Sequence, residues 1–325
     1  MLRLPPFEYL TPRSVEHAVQ LFEEHAPDAL YVAGGTDLYP NMKRRQVEPK
    51  FLIGLNGLTE LHGITNGNGV AIRAGTTLNR LADHPTIRQN YPALATAANL
   101  VSTPQLRAMG TLGGNLCLDT RCNYYDQDFW WRKALGFCLK KDGDTCAVAP
   151  GSARCWAVSS TDCAPVVIAL DGQVRLVGPR GERVIAAQDL YRDDGIQHLG
   201  KERDELLTEI LLPPAEGMKS VYLKLRRRDS FDFPILGVAA ALRFAANGEI
   251  EYARVVLGGG GSRPLECEET SQRLLGQKLT REVIDAAAEA AWKPARPLDN
   301  TDLTHSYRKK MTRVYVARAL EALTQ

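Results

Sequence analysis

Two kinds of residue in this chain could do chemistry, and they meet in one stretch, TLGGNLCLDTRCNYYDQDFWW, residues 111–131. Glycine has no β-carbon to hold a ligand off, so consecutive glycines let backbone amides turn into a concave nest that donates to phosphate oxygens. VAGGTDL (32–38) and TLGGNL (111–116) both have this character. Neither has the G-x-G-x-x-G spacing of a dinucleotide fingerprint or the terminal Lys and Ser or Thr of a P-loop. Taken singly, each is more often a plain turn. GGGGS (258–262) follows an expected strand and reads as a strand-end loop.

Thiols are the second kind. Of seven cysteines, Cys122, Cys138, Cys146 and Cys155 fall within residues 119–159, Cys117 and Cys163 lie just outside, and Cys267 is remote. Four thiolates from one loop can bind zinc or an iron–sulfur cluster. Structural zinc sites usually draw on tight C-x2-C knuckles, whereas the spacings here are fifteen, seven and eight intervening residues. They also miss the compact bacterial and plant-type ferredoxin patterns, so spacing alone leaves the metal open. Tyr124, Tyr125, Phe129, Trp130, Trp131, Phe137 and Trp156 crowd the same segment. Such rings give an irregular loop its own core and shield a metal centre from water. Packing under a long loop explains the rings by itself, but not the thiols. Nucleophilic cysteine chemistry is disfavoured, because no Cys–His pairing recurs near the six scattered histidines.

The elements that must position these residues follow from periodicity. Ser14 is a helix cap, and Val15, Ala18, Val19 and Phe22 then mark one buried helical face. ALYVA (29–33) and FLIGL (51–55) are strands of a β-α-β opening, joined through a solvated helical turn with Met42, Lys43, Arg44 and Arg45. VAIRAG is a further strand, a helix starts at Thr76–Leu81, and PALATAANLV (92–101) is a second helix. PVVIAL is expected as a strand, with Asp171–Gly172 a hairpin turn into QVRLVG, and LLTEILLP (206–213) closes this unit before a Pro–Pro linker. SVYLKLRRR, LGVAAALRFAA and EIEYARVVLGG are three strands, the last two joined by Asn247–Gly248. Helices near 281–291 and 305–323 finish the chain, the latter carrying Tyr307, Met311, Val314, Tyr315, Arg318 and Leu320.

A formal charge of +2 gives no reason to expect a nucleic-acid or anionic membrane partner. The cluster Arg226, Arg227 and Arg228 reads as a solvated strand edge or subunit contact. Residues 1–20 lack a basic n-region followed by an apolar core, and no apolar run reaches the roughly 18 residues of a membrane span. The expected location is cytoplasmic, where disulfides are disfavoured.

The order of FEYLTPRSVEHAVQLF, YVAGGTDLYP, LRAMGTLGGNL, SSTDCAPVVIAL, ELLTEILLPP, YLKLRRRDSFDFP and HSYRKKMTRVYVARAL resembles the flavin-binding medium subunits of the molybdenum hydroxylase family. The match runs the length of the chain. It implies an α+β protein with a vanillyl-alcohol-oxidase-type two-subdomain FAD-binding fold and an α+β C-terminal domain of three antiparallel strands plus helices. The implied units are 1–57 and 58–216, which bind FAD, and 217–325. By the same resemblance Tyr31, Val32, Ala33, Gly34, Gly35, Thr36, Asp37 and Leu38, with Thr111, Gly113, Gly114 and Asn115, hold the pyrophosphate and ribityl chain. Asp162 faces FAD hydroxyls, Val101 packs beside the cofactor, and Lys224 lies near the flavin ring.

In the ordinary family pattern only a few residues separate the GGN turn from the S-x-x-S-D segment, so residues 119–159 are an insertion. It resembles the 4-hydroxybenzoyl-CoA reductase branch, whose flavin subunit carries an additional [4Fe-4S] cluster, and Cys122, Cys138, Cys146 and Cys155 match that ligand set. Cys117 and Cys163 are then buried bystanders and Cys267 is inert. The branch implies that a molybdenum-cofactor large subunit dehydroxylates 4-hydroxybenzoyl-CoA to benzoyl-CoA. Ferredoxin supplies electrons through the cluster and FAD to a [2Fe-2S] small subunit, in a dimer of heterotrimers. The alternatives are the FAD subunit of an oxidising xanthine- or aldehyde-type hydroxylase, or a zinc-stabilised binding module without cofactor.

Overall fold

The computed structural model describes residues 2–324, arranged as three sheets with helices packed between and outside them. The first sheet is parallel, in the order β1-β3-β2, with β1 at Glu8–Leu10, β2 at Ala29–Val32 and β3 at Phe51–Gly54. Ser14 caps the helix Val15–His25, accepting from the His17 amide at 3.1 Å. The four apolar residues expected on its inner face are buried, and most of them pack with Ala29, Ile53 and Leu55. Strand β1 was not expected, because three residues are too few to show a period. The helix Leu38–Lys43 joins β2 to β3, but it is not wholly solvated: Met42 is fully buried against Val32 and Leu52.

The second sheet is antiparallel, in the order β4-β5-β8-β6-β7. Its strands are β4 Ile64–Gly67, β5 Gly69–Arg73, β6 Gln173–Gly178, β7 Gly181–Ala186 and β8 Leu206–Leu212. PVVIAL, expected as a strand, belongs instead to the helix Cys163–Ala169, every residue of which is buried. A short run that is apolar on all sides has no period to separate strand from helix. Here sheet strands and the helices Pro92–Leu100 and Leu112–Leu116 surround it, and a helix satisfies its own backbone. Asp171–Gly172 is accordingly the turn from that helix into β6, with Asp171 at φ 58°.

The third sheet runs β12-β11-β10-β9, all antiparallel: β9 Met218–Leu225, β10 Leu236–Phe244, β11 Ile250–Gly258 and the two-residue edge strand β12 Leu265–Glu266. The three long strands and the Asn247–Gly248 hairpin were legible in the sequence; β12 and the helix Glu268–Leu274 were not. Alternation divides β10 between two cores. Val238, Ala240 and Leu242 meet the helices Arg281–Trp292 and His305–Ala322, while Ala239 and Ala241 face the core of the second sheet. Along the last helix Arg308, Thr312, Val316, Ala319 and Leu320 are buried, Met311 and Tyr315 pack partly buried against the same core, and Tyr307 is exposed.

Residues 119–159 contain one helix, Phe129–Ala134, capped by Asp128, whose carboxylate accepts from the Trp130 and Trp131 amides at 2.9 and 3.1 Å. The segment leaves the body at a neck where Arg121 and Val158 exchange backbone hydrogen bonds of 2.8 and 2.7 Å. Its small core holds Cys122, Tyr125, Cys155 and Ala157, with Tyr124, Leu139 and Val148 packed against them. Among the described residues no helix is long and apolar enough to cross a membrane.

Candidate FAD site and cysteine segment

The two glycine turns come together on one cavity of about 620 Å³, within the range of small-molecule and cofactor sites. Tyr31, Val32, Ala33, Gly34, Gly35, Thr36, Asp37 and Leu38 all line it, as do Val101, Thr111, Gly114, Asn115 and Asp162. The glycines serve different ends. A β-carbon on Gly34 would sit 2.0 Å from the Met109 carbonyl oxygen, so this residue allows the first turn to lie against the approach to the second. Gly35 has φ +67°, which favours glycine. Gly113 faces inward, where a β-carbon would meet that of Ala74 at 2.7 Å, and it does not line the cavity. Gly114 does; only Thr111 Oγ1, at 3.1 Å, lies near its missing β-carbon. That hydroxyl accepts from the Gly114 amide and caps the short helix Leu112–Leu116. Two facing turns stripped of side chains are a cradle suited to a dinucleotide phosphate.

Asn115 fixes the second turn to the opposite wall. Its Oδ1 accepts from Thr161 Oγ1 at 2.7 Å and from the Cys163 amide at 3.1 Å, which brings Asp162 to the cavity. The Asp162 carboxylate is buried and accepts from Tyr222 Oη at 2.7 Å and from Lys224 Nζ at 2.9 Å. Burial pushes Asp162 above the usual carboxylate range, and Lys224 and Tyr222 oppose this. Lys224 also donates to the Leu100 carbonyl at 3.0 Å and is not part of the cavity wall; its ammonium stands behind Asp162. A carboxylate braced in this way presents a fixed acceptor to a ligand hydroxyl.

Several residues of the site gave no signal in sequence. Tyr222, behind Asp162, looks like any strand tyrosine; of the wall residues, Arg121 is one of forty basic residues, and Phe231, Asp232 and Phe233 come from the loop between β9 and β10. Cys117, set aside as a buried bystander, is half-buried and lines the cavity, whereas Cys163 is fully buried. Cys267 is buried in the C-terminal core, where desolvation and Glu266 push its thiol up to about 12.

The four cysteines of the segment are all buried and none forms a disulfide. Burial pushes Cys122 up to about 12, with the Cys155 and Cys138 thiols adding to the rise. Cys155 is pushed up to about 11 by burial, with Cys146 and Cys138 contributing and Lys140 opposing. Cys122 therefore lies within electrostatic reach of Cys155 and Cys138, and Cys155 within reach of Cys138 and Cys146. Their sulfurs do not close on a common point: among the described residues no three His, Cys, Asp or Glu side chains are grouped closely enough to hold a metal ion. In chemical character the set fits a thiolate-ligated cluster, being sulfur-rich and desolvated, with Tyr124 and Tyr125 packed by Cys122 and Cys155, although the Trp130 and Trp131 rings expected to shield it are exposed. A bound cluster would compensate the Cys122 and Cys155 thiolates, which burial otherwise disfavours.

Residues 5–215 match the family described as FAD binding domain in molybdopterin dehydrogenase, and residues 220–323 match the CO dehydrogenase flavoprotein C-terminal domain. The chain is 32% identical over 320 residues to the carbon monoxide dehydrogenase medium chain of Hydrogenophaga pseudoflava, covering 98% of this chain and 97% of that one. It is 32% identical over 270 residues to the aldehyde oxidoreductase FAD-binding subunit of Escherichia coli, covering 78% and 81%. The solved structure of Hydrogenophaga pseudoflava carbon monoxide dehydrogenase superposes with a TM-score of 0.82 at 30% identity, over 98% of each chain. With a dinucleotide-sized cradle between two glycine turns and both family matches end to end, this chain belongs to the FAD-binding medium subunits of the molybdenum hydroxylase family.

Proposed function

We propose that this chain is the flavin and iron–sulfur electron-transfer subunit of a molybdenum enzyme that reductively dehydroxylates 4-hydroxybenzoyl-CoA to benzoyl-CoA. Bound FAD and a [4Fe-4S] cluster supply one- and two-electron chemistry between a ferredoxin donor and a [2Fe-2S] small subunit. The ring hydroxyl leaves as water on a separate molybdenum-cofactor large subunit, and the assembly is a dimer of heterotrimers. Within this chain, residues 1–57 and 58–216 form the FAD-binding part and 217–325 the C-terminal unit, with 119–159 inserted. The turns 31–38 and 111–115 hold the diphosphate and ribityl chain, Asp162 accepts from a ribityl or ribose hydroxyl, and Val101 packs on the cofactor. Lys224 holds the Asp162 carboxylate in place as a positioning residue. Cys122, Cys138, Cys146 and Cys155 are the cluster ligands.

The observation that carries this reading is four buried thiols in one segment that joins the cavity wall. The chain passes from wall residues Asp119 and Arg121 directly to Cys122. Iron, sulfide and flavin analysis of the purified complex tests this: about four iron and four sulfide per chain, with one FAD, are expected. Ferredoxin, and not NADH, should drive reduction of the acyl-CoA.

The second reading is an FAD subunit of an oxidising hydroxylase, favoured by the names of similar proteins, which are a carbon monoxide dehydrogenase and an aldehyde oxidoreductase. FAD without iron in this chain, and reduction of NAD or another acceptor during substrate oxidation, would select it.

A further inference from the structure

We infer that Arg121 is a positioning residue that locks the cysteine-bearing segment onto the first glycine turn, so that FAD binding and the order of residues 119–159 stabilise each other. This rests on FAD occupying the cavity between the glycine turns and does not require a metal.

Three parts of the chain converge on this one guanidinium. It pairs with Asp37 in the GGTD turn and donates to Asn41 Oδ1 at 3.4 Å in the helix that follows. It pairs with Asp126 of the cysteine segment at 2.8 Å. The Phe233 ring, from the loop between β9 and β10, lies over it with its centroid 4.7 Å from Cζ. Asp126 passes the connection onward, because its second oxygen accepts from the Cys122 amide at 2.8 Å. Arg121 is itself held at the segment's neck by the backbone pair with Val158. It is 8% exposed and lines the cavity, and its Nε is buried without a partner.

A lysine could not do the same. Guanidinium presents its donors as a rigid fork that spans two carboxylates, whereas an ammonium is a single point charge. With Asp37 and Asp126 drawn from different segments, losing either contact leaves a buried charge poorly compensated. The GGTD turn then loses its brace and the Cys122 turn loses its anchor. Coupling of this kind is reciprocal: whatever order FAD confers on the segment, the segment returns as FAD affinity.

Asp126 is the informative position, because it does not itself line the cavity; it also lies 3.7 Å from Arg44, which does, so the double variant assigns its effect to Arg121. In the full-length chain within its complex, Asp126→Asn should speed FAD release, followed by recovery of flavin fluorescence, about fivefold or more. The double variant with Arg121→Met should release FAD no faster than Arg121→Met alone, and Arg121→Lys should behave like Arg121→Met. In the unaltered protein, amide hydrogen exchange across 119–159 should rise about tenfold when FAD is stripped, and Asp126→Asn should abolish most of that difference. Unchanged FAD release in Asp126→Asn overturns the inference. So does exchange across 119–159 that ignores FAD in the unaltered protein, a result that needs no variant to fold. Iron measured in parallel separates the two ideas: exchange that follows FAD in a chain lacking iron keeps this inference and ends the cluster reading.

Discussion

In the C-terminal sheet each long strand trades backbone hydrogen bonds with its neighbours, and apolar side chains alternate between two cores. Residues 119–159 have one six-residue helix, a two-residue neck and a core of a few rings and thiols. Their order comes from buried cations. Arg132, 1% exposed, donates to the carbonyls of Arg44 and Arg45 at 3.1 and 3.0 Å, where the helix Leu38–Lys43 has just ended. Lys140 donates to Asp119 Oδ1, Thr120 Oγ1 and the Gly195 carbonyl at 2.6 to 2.7 Å, and its ammonium lies 4.7 Å from the centre of the Tyr125 ring. Many weak, repeated contacts share the load in the sheet; in the segment a few strong ones carry it singly.

If that contrast is right, substitutions should differ in size and in spread. Lys224→Met should cost the most, about 3–5 kcal/mol in urea unfolding, because it strands the buried Asp162 carboxylate. Adding Asp162→Asn to it should recover part of the loss. Leu242→Ala, fully buried between sheet and helices, should cost about 3 kcal/mol by opening a cavity. That loss should appear in one cooperative transition shared by the whole C-terminal unit. Arg132→Met should cost about 2 kcal/mol, but locally: new tryptic cuts should appear within 119–159 while the main melting transition barely moves. If Arg132→Met lowers the global transition as much as Leu242→Ala does, the contrast fails.

Acid offers a milder test. Burial holds His198 below the usual imidazole range despite Asp119 close by, with Lys140 also opposing its charge. A depressed value means the neutral ring is favoured in the folded state. Its contribution is full above the unfolded imidazole pKa of about 6.5 and is lost as pH falls through the folded value. Tryptic nicking of the segment should therefore increase on acidification below that point, and His198→Asn should flatten the dependence. Smallest of all, Trp130→Ser at a 72% exposed ring should change stability by no more than about 0.5 kcal/mol.

Much of this architecture was legible before any coordinates. The amphipathic helix at Val15–His25, the hairpin at Asn247–Gly248 and both glycine turns announce themselves through local chemistry: a cap, a two-residue turn, a missing β-carbon. The gathering of aromatic rings and thiols in one segment was visible for the same reason, since composition is itself a local property. What remained hidden depends on neighbours distant in sequence. The all-apolar run at Cys163–Ala169 is buried on every side by strands and helices distant in sequence. Asp162, Tyr222 and Lys224 form one buried cluster although sixty residues separate the first from the others. Arg121 could not be told from other arginines until Asp37, Asp126 and Phe233 had been brought around it. Backbone preference and hydrophobic period act over a few residues and can be read along a line; pairing of buried charges acts through space, and only the folded chain decides who the partners are.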